Sequence, residues 1–128
     1  MSCESLAHGE ITEQILGAAF EVSKEPGNGF LESVYEKALE IVLRRQGWRV
    51  ERQVPVKVFF QGIDVGNFTA DLIIDGKVLV ELKAVKTLLP EHQAQVIHYL
   101  KATGLKVGLL INFGTTKIEY KRLTWNVT

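Results

Sequence analysis

A single cysteine, Cys3, stands in the whole sequence, so no disulfide can form within the chain, and its place near the N-terminus gives it no structural task. A reducing, cytoplasmic setting is the expectation. Charge of one sign is missing as well: 15 basic and 15 acidic residues cancel, leaving no long-range field that would announce a nucleic-acid or membrane partner. Any basic surface must therefore be local. No apolar run approaches the roughly 20 residues of a membrane span. The opening MSCESLAHGE has neither the basic start nor the apolar core of a signal peptide. Three histidines and one cysteine are scattered without zinc spacing, and His92 and His98 read as surface residues. Repeats, low-complexity segments and linkers are absent too.

Apolar material is present in quantity. At 46% of 128 residues it suffices for one packed core, so residues 1–128 are expected to form a single domain. Ile11, Ile15, Leu16, Ala19, Phe20 and Val22 recur at helical spacing until Pro26, Gly27 and Gly29 stop the pattern. A second helix runs from Leu31 to Arg45, with Leu31, Val34, Tyr35, Ala38, Leu39 and Val42 inward and Glu36, Lys37, Glu40 and Arg44 outward. Gly47 closes it. The period then drops to two. Val54, Val56, Val58 and Phe60 share a face, Gln61 to Asp64 turn the chain, and Phe68, Ala70, Leu72 and Ile74 share a face of the next strand. Val78, Val80, Leu82 and Ala84 do the same in the third strand. Leu88 to Thr103 reads as a helix, Lys106 to Phe113 as a buried strand, and Lys117 to Leu123 as an edge strand. The order helix, helix, three strands, helix, two strands is that of an α/β fold, a mixed sheet with helices against it.

Charge sits on the strand faces opposite the apolar ones. Glu81 and Lys83, two residues apart, must share one side of their strand. Asp71 joins them only if the connecting loop has odd length: with Asp75 and Gly76 alone as a two-residue loop, Asp71 would face Val80. A three-residue loop with Gly76 left-handed restores the parity, and that loop is the expectation. Two carboxylates converging from adjacent strands suit a hard divalent cation such as Mg²⁺. Beside it, an ammonium has a use if a phosphodiester is to be hydrolysed, Lys83 orienting the attacking water and offsetting charge. Taken alone, Asp71, Glu81 and Lys83 read as simply the solvated face of a meander, since alternating charge on a strand is commonplace. On the third helix Gln95 and Tyr99 lie i, i+4 beside the core stripe, in reach of the sheet edge. Glu32, in the first turn of the second helix, is explained by the helix dipole alone.

Together these residues resemble the PD-(D/E)XK nuclease superfamily, and within it the small GxxExxY family. Gly29, Glu32 and Tyr35 stand in G-F-L-E-S-V-Y, TADLIIDGKVLVELKAV carries Asp71 and the E-x-K of Glu81, Leu82 and Lys83, and Gln95 to Tyr99 reads Q-V-I-H-Y, similar to the Q-x-x-x-Y helix motif of RecB-like and lambda-exonuclease-like nucleases. The likeness spans about Ile11 to Leu123, and Ala70 stands where the pattern has proline.

The resemblance implies a restriction-endonuclease-like mixed β-sheet flanked by helices, with a metal site at one edge. By it Asp71 and Glu81 hold Mg²⁺ or Mn²⁺, with the Leu82 backbone carbonyl as a further ligand. Lys83 is the catalytic lysine, Glu32 an accessory carboxylate that also ligates, and Gln95 and Tyr99 orient the site. The activity implied is hydrolysis of DNA phosphodiester bonds in repair, recombination or defence. Arg44, Arg45, Arg49, Arg52, Lys83, Lys86 and Lys101 are candidates for gripping the substrate. The rival reading is a non-catalytic module that keeps the nuclease fold and binds nucleic acid or protein, its edge strand open to pairing in a homodimer.

Overall fold

The computed structural model describes residues 7–27 and 29–127; Cys3 and Asn28 lie outside the described residues. Two helices open the chain, α1 (Gly9–Lys24) and α2 (Glu32–Arg45). In α1 Ile11, Ile15, Ala19 and Val22 are buried as the spacing predicts, joined by Ala18, whereas Phe20 is exposed; in α2 Tyr35, Leu39 and Leu43 are buried at four-residue steps, and Leu31 and Val34, expected inward, are exposed. Gly47, at φ +92°, ends α2 as expected, and the Trp48 N–H returns to the Leu43 carbonyl at 3.1 Å.

Five strands form one sheet in the order β1 (Val50–Phe60), β2 (Ile63–Ile74), β3 (Val78–Lys83), β4 (Val107–Asn112), β5 (Glu119–Thr124). Only β3 and β4 are parallel, and the crossover between them carries α3 (Pro90–Thr103). β4 is buried along its whole length and β5 lies at the edge, as their patterns suggest. Helices cover both faces. Val78, Val80, Leu82, Val107, Leu109 and Ile111 pack with α1 and α2, whereas Leu79 and Leu110 pack with Val96, Tyr99 and Leu100 of α3. Gly108 is where α3 comes closest: a Cβ there would stand 2.7 Å from Val96 Cγ1.

One expectation fails in an instructive way. Phe68, Ala70, Leu72 and Ile74 do not share a face. Leu72 and Ile74 belong to the α1/α2 side, but Ala70 lies on the α3 side, against which the Phe68 ring also leans. The partner strand changes sides at the same level, Val50 packing with α1 and α2 and Val56 with α3. Between them Gln53 has φ +53°, a left-handed residue inside a strand, and the ladder skips the Gln53–Asp71 pair while keeping its register on either side. Strict alternation assumes extended backbone throughout, so a single left-handed residue defeats it.

Candidate active site

The side switch sets the stage for the carboxylates. β2 and β3 are laddered from Leu72 opposite Val80 to Ile74 opposite Val78. The loop between them is Asp75, Gly76 and Lys77, with Asp75 at φ 57° and Gly76 at φ 64°, and the Lys77 N–H closes on the Ile74 carbonyl at 3.0 Å. It is the odd loop with a left-handed Gly76 that parity demanded. One step beyond the ladder Asp71 faces Glu81, and there the pairing stops being backbone to backbone. The Asp71 N–H donates to Glu81 Oε1 at 3.1 Å, and the Leu82 N–H donates to Asp71 Oδ2 at 2.8 Å. Each carboxylate is thus held through one oxygen by a backbone N–H of the other's strand.

Glu81 is 4% exposed. Burial first, and then the Asp71 carboxylate beside it, push its carboxyl up to about 8, while the Lys83 ammonium pulls in the other direction. Lys83 itself is half-buried, at the register position of Asn112 on β4. From α3, Tyr99 is buried and its Oη accepts a hydrogen bond from Gln95 Nε2 at 3.2 Å. Burial and then the Glu81 carboxylate raise the phenol's pKa. His92, on the same stripe, is occupied locally: its Nδ1 accepts the Leu89 N–H at 2.9 Å and caps α3.

Glu32 makes none of the contacts recorded at this centre. It is exposed in the first turn of α2 and makes no hydrogen bond or ion pair among the described residues. The α2 carboxylate that reaches the site is Glu36, one turn further along the same stripe, which the sequence pattern had placed outward. Glu36 is 6% exposed, and its Oε1 accepts the Gln53 side-chain amide at 2.7 Å. The same Gln53 Nε2 stands 3.5 Å from Asp71 Oδ1. Burial, opposed by that amide and reinforced by Asp71, raises the Glu36 pKa. Neither Glu36 nor Gln53 was legible in the sequence. The one usable hint was Glu36 sitting four residues before Glu40 in a helix already rich in outward charge, which points the wrong way.

Gly29 and Tyr35 have a different task. The Tyr35 hydroxyl donates to the Gly27 carbonyl at 2.7 Å and accepts the Phe30 N–H at 3.1 Å, while its ring stacks on Phe113 at 4.5 Å. A Cβ on Gly29 would meet open space, so its φ of +96°, and not a close approach, is what requires glycine. On the far side of β3, Asn112 anchors the exit of the strand: its side chain exchanges hydrogen bonds with the Val85 N–H and carbonyl at 3.0 and 2.9 Å.

Among the described residues no group of three or more His, Cys, Asp or Glu side chains is placed to cage a metal. The buried Glu81 and the partly exposed Asp71 beside it nonetheless fit a hard divalent ion, which takes a few protein oxygens and keeps its remaining waters. Of the candidate gripping residues, Arg44 and Arg52 are spent on Glu40, at 3.2 and 3.4 Å.

A mixed five-stranded sheet with helices on both faces, its paired carboxylates where two strands part, defines a restriction-endonuclease-like α/β fold. The sequence profile of the PD-(D/E)XK nuclease superfamily matches residues 9–123, nearly all of the chain, and the protein belongs to that superfamily. No curated protein matches the sequence. Among solved structures, the crystal structure of SSO0001 shares the fold with a TM-score of 0.58 and 21% identity, over 75% of this chain and 50% of that one. The chain therefore spans half the length of that structure. No helix among the described residues is long and apolar enough to cross a membrane.

Proposed function

We propose that this single domain is a divalent-metal-dependent nuclease of the GxxExxY kind that hydrolyses DNA phosphodiester bonds. The observation that carries the reading is the Asp71–Glu81 pair, interlocked where β2 leaves β3, with Glu81 pushed up to about 8. A carboxyl raised by burial and by a second carboxylate beside it is the kind of perturbed group that clusters at functional sites. Asp71 and Glu81 would hold Mg²⁺ or Mn²⁺, with the Leu82 carbonyl on the same strand available as a further oxygen. When bound, the ion supplies polarisation of the phosphate and acidification of a water. The chain's own residues do the rest. Lys83 orients the attacking water and offsets charge on the phosphate oxygens as the new P–O bond forms and the ester P–O bond breaks. The hydrogen-bonded Gln95 and Tyr99 fix the water and phosphate positions from the α3 side, and Gln53 holds Asp71 and Glu36 in register.

The test is metal-dependent cleavage of single-stranded, duplex and branched DNA and of RNA, with Lys83→Ala as control. Cleavage of DNA with Mg²⁺ or Mn²⁺, absent in chelator and lost in Lys83→Ala, is expected. Metal binding without cleavage of any substrate would replace this reading by that of a binding module on a nuclease fold.

A further inference from the structure

The β1–β2 hairpin is twice as long as the sheet it belongs to. β2 runs from Ile63 to Ala70 before β3 joins it, roughly 25 Å at about 3.3 Å per residue, so its outer half stands beyond the rest of the sheet. Its surface is apolar: Phe59, Phe60, Ile63 and Val65 are each about 60% exposed and Phe68 45%. Of these, Phe59 and Phe68 stand together on the side of the hairpin that faces α3. Between the hairpin and α3 lies a groove of about 560 Å³ lined by Lys57, Phe59, Phe68, His98 and Lys101. A second recess, about 350 Å³, shares Phe68 and His98 and continues to Gln95 and Tyr99, with Glu91 as its one carboxylate. Sharing Phe68 and His98, the two line one path along α3 from Phe59 to Tyr99.

We propose that this path is the track for an unpaired DNA strand, its bases stacking on Phe59 and Phe68 and its phosphates meeting Lys57 and Lys101, so that the strand is led to the carboxylate centre. The proposal rests on the nuclease reading above and names its substrate as single-stranded. Exposed phenyl rings alternating with ammonium groups are the chemistry of sequence-tolerant single-strand binding. A duplex offers the same phosphates but keeps its base faces stacked on one another, so the rings gain nothing from it. The chain's zero net charge agrees with a grip made of local cations and stacking and not of a general basic field.

Binding is measured in chelator, so that no cleavage is needed, with fluorescently labelled dT20 and its duplex with dA20 as probes and the full chain as the protein. Wild type is expected to bind dT20 at least about tenfold tighter than duplex, and Phe59→Ala, a surface change, to weaken dT20 by about tenfold. Lys57→Gln with Lys101→Gln should lower the salt slope of dT20 binding by about 1.4. Thermal melting confirms that each variant is folded. Equal affinity for both probes overturns the proposal, as does a folded Phe59→Ala that binds dT20 like wild type. A Phe59→Ala that only turns a dimer into a monomer, with dT20 affinity unchanged, also overturns it, the hairpin then being a self-association face. Loss of cleavage alone, with these binding results intact, sinks the nuclease reading and leaves the track standing.

Discussion

Glu81 places a measurable signature on the metal-free protein. Its carboxyl titrates near 8 when folded, against 4.5 for the ordinary group, so between those values the native state holds a proton that the unfolded chain has released. Unfolding then loses free energy as pH rises, and the stability present below about pH 4.5 is gone above about 8, a change of roughly 3–5 kcal/mol. Denaturant melts in chelator across this window should show that fall, and Glu81→Gln should flatten it, leaving the variant the more stable protein at pH 8.5. Gln53 gives a second test at the same scale. A left-handed non-glycine residue costs about 1–2 kcal/mol. Gln53→Gly sheds that strain and Gln53→Ala keeps it, while both lose the amide that joins Glu36 to Asp71. The glycine variant is expected to be more stable than the alanine one by about 1 kcal/mol, the reverse of the usual strand order. Urea titration decides between them, and the usual order would mean that residue 53 carries no strain.

At the scale of elements, two glycines separate conformational cost from space. Gly17, in the middle of α1, would present a Cβ to nothing within 4 Å, whereas a Cβ on Gly114 would lie 2.2 Å from the Val85 carbonyl oxygen. Gly17→Ala should therefore stabilise by up to about 1 kcal/mol, and Gly114→Ala should destabilise by about 2 kcal/mol or more, both read by thermal melting. The second change also disturbs the Asn112 clamp on Val85, next to Lys83, and should lower activity as well as stability. The elements were the most legible part of the sequence. All eight came in the expected order because hydrophobic period and glycine punctuation are local signals, and even the loop at Asp75–Lys77 followed from parity. Where the reading failed, the cause was tertiary. Nothing local announces that Gln53 turns left-handed, so the switch of faces at Asp71 was invisible. Glu32 had the motif spacing and the helix start in its favour, yet Glu36 is the carboxylate that the docking of α2 turns toward Gln53.

For the molecule as a whole, the proposed metal site would link metal binding to folding through one pair of side chains. An ion bound by Asp71 and Glu81 binds only the folded chain, since the pair is assembled by the register of β2 on β3. At a metal concentration of 100 times Kd that linkage is worth about 2.7 kcal/mol, or roughly 10 °C in Tm for a domain of this size. The effect must depend on pH with a sign opposite to that of the metal-free protein. Below about 8 the ion has to displace the proton that Glu81 keeps, so the metal-induced rise in Tm should grow from pH 6 to pH 8.5 while the baseline Tm in chelator falls. Melting curves at the two pH values, with Mn²⁺ or with NaCl of equal ionic strength, separate site binding from screening. Asp71→Ala should lose the rise at both. A rise that persists in Asp71→Ala, or one that shrinks toward pH 8.5, would place the ion elsewhere and remove the basis for assigning the reaction to these two carboxylates.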